Sequence, residues 1–375
     1  MEYIAKTFQG LEEVLATELT NLGGQNIRIL KRAVAFEGDK KLLYAANLRC
    51  RTAVRILQPI ADAINQDEKA LYKWASSVDW EKYIDENMTF ALDVTAYSEV
   101  FRHANYALLT VKDAIVDQFR KRFGKRPSID TENPDVRFQL QISGVSCRLL
   151  LDSSGSSLHL RNYRLEQGEA PINEVLAAGM VLLSGWDKKG IFIDPMCGAG
   201  TILAEAAMIA KNIAPNKLRT SFGFQNWKDY EPELWEEVRA EALAAEQESD
   251  AELIGYDLDF EILNKALNNL ERLELGEFVE LVKKRIELTT PPEPGENAIV
   301  VTNPPYGERL APEDSTVFEF YKTLGDTFKQ RFKGYKVYLI TSNLTAVKHI
   351  HLKASRRIPL FNGKLECRLL EYKMT

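Results

Sequence analysis

The chain has 375 residues, 45% of them hydrophobic and 27% charged, which is the make-up of an ordinary soluble globular protein with room for two or three cores. Four cysteines (Cys50, Cys147, Cys197, Cys367) and four histidines (His103, His159, His349, His351) show no C-x-x-C or H-E-x-x-H spacing, so zinc and a disulfide framework are not expected. The net charge of −6 speaks against nucleic acid if read whole, but residues 1–150 hold 21 Lys+Arg against 20 Asp+Glu, leaving 27 against 34 for the rest.

Residues 1–57 read as a small α/β unit. Tyr3-Ile4-Ala5 is a short strand, Leu11 to Leu22 an amphipathic helix, and Ile27 to Phe36 a paired stretch. Lys40 to Leu48 is a second helix and Arg51 to Leu57 a closing strand, the order of a ferredoxin-like split βαβ. Residues 58–160 read as a second α/β module, with a helix at Leu71 to Ser76 and a strand at Thr89 to Tyr97. A helix at Asn105 to Phe123 and strands at Val136 to Ile142 and Ser146 to Asp152 complete it. Phe101 to Arg126 carries seven basic residues (Arg102, Lys112, Arg120, Lys121, Arg122, Lys125, Arg126) against Asp113 and Asp117. From Arg161 onward strands alternate with helices, as in a doubly wound parallel sheet, and the chain closes in a hairpin turned at Asn362-Gly363. Residues 211–250 interrupt that pattern and read as an insertion. No signal peptide and no bilayer-length apolar run appear, so a reducing cytoplasm and no membrane are expected.

Three stretches carry chemistry. Asp194-Pro-Met-Cys-Gly-Ala-Gly-Thr201 lies at a strand-to-helix turn, where Gly198 and Gly200 let the backbone approach a ligand closely. Position 203 is Leu, so the third glycine of a dinucleotide fingerprint is missing, and no G-K-[ST] marks a phosphate loop. An acid ahead of the glycines suits a cationic amino-acid tail better than a pyrophosphate. Asp257 closes the next strand, placed for ribose hydroxyls or for helix capping together with Asp259. Asn303-Pro304-Pro305-Tyr306 ends a third strand in a turn stiffened by two locked φ angles. An amide oxygen, a free carbonyl and a ring at that edge suit a planar base held by its exocyclic amine.

Taken together, Asp194 to Thr201 and Thr302-Asn-Pro-Pro-Tyr-Gly-Glu-Arg309 resemble the S-adenosylmethionine-dependent RNA methyltransferases that carry a THUMP domain, with the bacterial 23S rRNA guanine-N2 group the nearest in pattern. The likeness continues through Val111 to Asp117, Arg126-Pro127, Leu151 to Arg164, Gly168 to Ile172 and Asn362 to Cys367, nearly the whole chain. The resemblance implies an α/β fold with three parts. These are a ferredoxin-like domain (1–57), a THUMP RNA-binding domain (58–160) and a Rossmann-like methyltransferase domain with a C-terminal antiparallel hairpin (161–375). It implies that Asp194, Pro195, Gly198, Gly200 and Thr201 contact the methionine part of S-adenosylmethionine and that Asp257 binds its ribose. The Arg164 to Glu174 stretch, with Arg164, Pro171 and Glu174, would complete the cofactor wall, while Asn303, Pro304, Pro305 and Tyr306 hold the base. Arg102, Lys112, Arg120, Arg122, Lys125 and Arg126 would contact structured RNA, rRNA first and tRNA second, with no metal. The sequence departs from the family where Asn162 replaces a glycine and where Lys283-Lys284-Arg285 replaces an acid that often contacts adenine.

The amine's lone pair is delocalised into its ring, so acceptors at Asn303 and Pro304 would draw electron density toward nitrogen as positive charge develops. In-line positioning supplies much of the rest, and the base must be unpaired or flipped out. Adenine-N6 and cytosine-N4 amines fit the same motif. Cys197 reads as a packed small residue, because cytosine-C5 chemistry wants its thiol beside the prolines. His103 and His159 read as surface or hydrogen-bonded residues. An inactive RNA-binding assembly factor and a nicotinamide-dependent oxidoreductase are the competing classes. The first conflicts with an intact Asn303 to Tyr306, and the second with the missing glycine and the lack of a Tyr-x-x-x-Lys.

Overall fold

The structure is a computed structural model that describes residues 1–164, 172–305 and 315–375. Pro171 and Tyr306, two of the expected site residues, lie outside the described residues. Two sheets organise the chain. The first holds β1 (Glu2–Lys6), β2 (Gln25–Leu30), β3 (Ala33–Glu37), β4 (Arg55–Ile64), β5 (Thr89–Tyr97), β6 (Ser128–Ile129), β7 (Val136–Ser143) and β8 (Ser146–Asp152) in the order β2-β3-β1-β4-β8-β7-β5-β6. Helices α1 (Glu12–Asn21), α2 (Lys40–Arg49), α3 (Glu68–Ser77) and α4 (Ala104–Phe123) accompany it. Side chains start the helices where the sequence offers them: Asp39 accepts from the Leu42 N–H and Asp67 from the Ala70 N–H, both at 2.8 Å.

Strand β4 runs past the expected end at Leu57 as far as Ile64 and pairs with β8. Pro59, which reads as a strand breaker, is accommodated where the register shifts between Pro59 and Ala61. The ferredoxin-like and THUMP-like units therefore share one continuous sheet.

The second sheet holds β9 (Phe192–Asp194), β10 (Leu253–Asp257), β11 (Val279–Lys283), β12 (Ile299–Thr302), β13 (Lys336–Thr341), β14 (Arg356–Asn362) and β15 (Leu365–Lys373), in the order β11-β10-β9-β12-β13-β15-β14. Its first five members are parallel and β15 is antiparallel to both neighbours. On one face lie α5 (Glu174–Leu183), α6 (Thr201–Ala210) and α8 (Phe260–Arg272), around Leu176, Met180, Leu203 and Leu270. On the other lies α9 (Ser315–Arg331), through Tyr321, Leu324 and Phe328. The sequence reading assigns no helix at α9, although its buried Val317, Tyr321, Leu324 and Phe328 fall at helical spacing.

Residues 211–250 contain α7 (Pro232–Ala244), and their aromatic residues do not decorate the second sheet. Phe222, Phe224, Trp227 and Trp235 pack into the core of the first, where Phe224 stacks on Tyr44 at 4.3 Å. Lys40 and Lys41 on α2 add ion pairs to Glu231, Glu237 and Glu241. The chain thus crosses from the first layer to the second and back before finishing the parallel sheet.

Candidate active site

The strand order reverses between β9 and β12, and ligands of open parallel sheets sit outside the carboxyl ends of the strands at such a point. Asp257, Asp194 and the Thr302-Asn303 step end three neighbouring strands in that order. The Thr302 hydroxyl donates to Asp194 Oδ1 at 3.0 Å, across the switch point itself. It ties the glycine turn to the strand that carries Asn303. Thr302 is a positioning residue that sequence reasoning missed, and only its place next to Asn303 hinted at it.

The glycine turn is held from three sides. Gly198 donates its N–H to Asp257 Oδ2 at 3.0 Å, and Asp257 Oδ1 accepts from the Asp259 N–H at 3.0 Å. From α8, Asn269 donates to the Ala199 carbonyl at 3.1 Å. Gly200 has a φ of +77° and precedes α6, and a Cβ there would meet the Ala266 Cβ at 3.0 Å. Both the left-handed backbone and the close helix exclude a larger residue. Asp259 also caps α8, accepting from the Glu261 N–H at 2.9 Å.

Asp194 is buried, and among the described residues it has no cationic partner. Burial pushes its carboxyl from an ordinary 3.8 up to about 7, with Asp257 adding to the rise and the Met196 and Thr302 donors opposing it. A buried acid in that state favours a cation placed against it. Cys197 is buried too, and burial drives its thiol well above the ordinary range, which fits a packed residue and not a nucleophile.

Arg164 reaches the same turn from the linker. It donates to Thr201 Oγ1 at 2.9 Å and to the Ile172 carbonyl at 3.1 Å, and its guanidinium lies 3.3 Å from Glu174. Two of the expected cofactor-wall residues, Arg164 and Glu174, are therefore in one bonded cluster with Thr201, an expected contact of the methionine part. A cleft of about 290 Å³ lies alongside, lined by Phe8, His159, Leu160, Arg164, Asn173, Glu174, Asn362 and Gly363. Asn162, standing where glycine is usual, has a φ of +64°, which asparagine tolerates.

Behind the turn, α6 is anchored to the first sheet by a buried ionic cluster. Arg161 lies 3.2 Å from Glu205 and donates to the Arg51 carbonyl at 2.6 Å, while Tyr163 donates to Glu205 at 3.3 Å. Arg51 donates to the Ile213 carbonyl at 2.8 Å. The helix that carries the glycine turn is thereby fastened to the α2–β4 junction.

Residues 161–371 match the RMKL-like methyltransferase domain, 65–152 the THUMP domain and 2–57 the RlmL ferredoxin-like domain. The chain belongs to the RMKL-like methyltransferase family. It is 37% identical to slr0064 of Synechocystis, provisionally named an RNA methyltransferase, over 99% of this chain and 96% of that one. It is 35% identical to the ribosomal RNA large subunit methyltransferase K/L of Psychromonas ingrahamii, over 100% of this chain but 50% of that protein. The chain thus spans about half the length of its K/L relatives. Among solved structures, SMU.472, a provisionally assigned methyltransferase crystallised with S-adenosylhomocysteine, superposes with a TM-score of 0.89 at 28% identity, covering 100% of this chain and 98% of that one.

In this RMKL-like methyltransferase the six expected RNA contacts do not form one patch. Arg102 precedes α4, while Arg120, Arg122, Lys125 and Arg126 sit at its far end, roughly 30 Å away for a helix of 20 residues. Three of the six also face acids: Arg102 lies 3.9 Å from Glu99, Lys112 3.6 Å from Asp113, and Arg122 pairs with Glu81. Of the six, Arg120, Lys125 and Arg126 are exposed at that end and have no ion pair among the described residues. No helix of the described residues is long and apolar enough to cross a membrane, and no group of metal-ligating side chains occurs among them.

Proposed function

We propose that the chain methylates the exocyclic N2 amine of a guanine in structured RNA, with 23S rRNA the leading substrate and S-adenosylmethionine the donor. The observation that carries the reading is the Thr302–Asp194 bond. It joins the strand end that carries Asn303 to the glycine turn one strand away, whose buried acid favours a cation. The complex of SMU.472 supports the donor, and the names of the K/L relatives support the large-subunit RNA.

S-adenosylmethionine supplies an activated methyl group. Asp194 would receive the ligand's ammonium, the backbone at Gly198 to Thr201 would lie along its amino-acid tail, and Asp257 would accept from its ribose. The Asn303 amide oxygen and the Pro304 carbonyl would accept the two amine hydrogens and aim the nitrogen at the methyl group. Both acceptors would also stabilise positive charge on that nitrogen. The domain limits 1–57, 58–160 and 161–375 belong to this proposal as well, the first two units docking RNA and the third carrying the chemistry.

The test is labelled-methyl transfer to total RNA from cells lacking the gene, followed by nucleoside mass spectrometry of separated RNA sizes. N2-methylguanosine in large-subunit rRNA is the expected product. N6-methyladenosine would replace the base while keeping the site. N2-methylguanosine in tRNA would move the substrate. Neither methylation nor cofactor binding would return the chain to an assembly-factor role.

A pH dependence follows from Asp194. Its carboxyl ionises near 7 in the free protein, so affinity for a ligand bearing an ammonium rises as pH passes upward through about 7. Calorimetric titration with S-adenosylhomocysteine between pH 6 and about 8.5 should show that rise. Asp194→Asn should flatten it and weaken binding at the alkaline end by about tenfold or more. An unchanged pH profile in the variant would remove Asp194 from the site. Linkage gives the stability sign. The fold holds a proton that the unfolded chain releases above 3.8, so this contribution is present at low pH and is lost as pH rises through about 7.

A further inference from the structure

Between Asp326 and Glu366 the chain has no aspartate or glutamate but carries nine lysines and arginines, within a protein whose net charge is −6. The fold divides these cations. Lys329, Arg331, Lys333 and Lys336 lie at the end of α9 and the start of β13, away from the carboxyl ends of the strands. Lys329 is 3.3 Å from Asp326, and Arg331 donates to the Thr289 carbonyl. Lys348, Lys353, Arg356 and Arg357 come after β13 has reached the site end of the sheet. All four are exposed, and none has an ion pair among the described residues. Arg356 stands opposite the buried Glu371 in the β14–β15 register and the ninth cation, Lys364, lies in the hairpin turn beyond β14, which leaves Lys348, Lys353 and Arg357 as the free charges ahead of that turn.

Their position relates them to the target turn. β13 lies beside β12, with Leu339 opposite Thr302, and it ends two residues later at Thr341. Lys348 follows within a short helical turn over Ala346–Ile350, so it lies at most roughly 20–25 Å from the strand end, a few nucleotides from Asn303. Beyond Arg357 the strand meets the first sheet's unit. A Cβ on Gly10 would fall 2.3 Å from the Pro359 carbonyl, and the Arg32 guanidinium lies 6.0 Å from the centre of the Phe361 ring. β14 runs parallel to β12 and β13, so the chain turns back before entering it, and Arg357 comes to lie level with Thr302 through Leu370 and Leu339, three strand spacings or about 14 Å away, with Lys353 four residues ahead of it.

Arg357 and Pro359 on an edge strand also discourage unwanted strand pairing. That role does not account for Lys348 and Lys353, which precede the strand, and the stretch around Pro359 is already covered by Gly10. We propose that Lys348, Lys353 and Arg357 form a second RNA-binding surface, on the methyltransferase domain itself, that holds backbone phosphates next to the nucleotide presented to Asn303. This rests on the RNA methyltransferase reading. Lysine and arginine contacts of this kind position the strand and carry no base information.

The test is the Lys348→Ala/Lys353→Ala/Arg357→Ala triple variant in the full chain, with deproteinised large-subunit rRNA as the probe in filter binding over a salt series. Loss of three phosphate contacts should lower the slope of log affinity against log salt by about 2–3, with about 10–100-fold weaker binding at low salt. Affinity for S-adenosylhomocysteine should stay unchanged, which also reports an intact fold. Unchanged slope and affinity would overturn the proposal. New self-association with unchanged RNA binding would overturn it too, by assigning the residues to edge protection. Wild-type protein that neither binds nor methylates RNA would remove the reading beneath it, an outcome distinct from failure of the triple variant alone.

Discussion

Asn303→Ala is expected to slow methyl transfer by about 10²–10³-fold while leaving S-adenosylhomocysteine affinity within about twofold. In the proposed mechanism the amide adds an acceptor where positive charge develops on the amine, so its loss would fall on the transition state more than on cofactor binding. The bond that supports Asp194 comes from Thr302, which the substitution leaves in place. Single-turnover transfer with saturating RNA, set beside calorimetric titration of the cofactor product, separates the two effects. Turnover near the wild-type rate would end the amine-gripping mechanism. An equal loss of cofactor affinity would mean that Asn303 props the glycine turn and does not act on the base.

Arg161→Ala should be the most destabilising single change in the buried cluster. Glu205 is fully buried, and removing the guanidinium 3.2 Å away leaves a carboxylate without its main partner, a loss of about 3–5 kcal/mol. Burial pushes Glu205 up to about 7 even with Arg161 and Arg51 opposing it, so the effect is best read at pH 8, where the acid is charged. The sign is that of a raised acid: the neutral form's contribution holds at low pH and is lost as pH rises through about 7. Arg161→Ala should therefore be less harmful at pH 6 than at pH 8. Adding Glu205→Gln should restore part of the loss, and denaturant melts of the four proteins complete the cycle. Identical destabilisation with and without Glu205→Gln would show that Arg161 acts through packing and its bond to the Arg51 carbonyl alone.

Much of the fold is legible in the sequence because local signals agree there with the tertiary arrangement. Thr89–Tyr97 alternates as a strand should, and Gly124 ends α4 in the left-handed conformation that glycine favours. The family resemblance carried the three-part architecture. What escaped has identifiable causes. Pro59 looks like the end of a strand but sits at a bulge that only the pairing with β8 reveals. The aromatic run from Phe222 to Trp235 is plainly apolar, yet nothing local says which sheet will bury it. Charge counting favoured Phe101 to Arg126, and pairing with Glu81 and Glu99 lies beyond the reach of a count. The acid-free stretch after Asp326 is visible in the sequence, though only its position beside β12 gives it meaning.

The route of residues 211–250 also has a consequence for synthesis. The first sheet's last strand, β8, ends at Asp152, but its core closes only when Phe222, Phe224, Trp235 and Ala242 arrive. At about 5–20 residues per second, a ribosome needs roughly 5–20 s to supply the intervening stretch. For that interval the nascent N-terminal half displays the apolar side that includes Tyr44. A chain stopped near residue 160 would keep that side open permanently, so the N-terminal half should be sticky as a fragment and well behaved only when joined to the methyltransferase half.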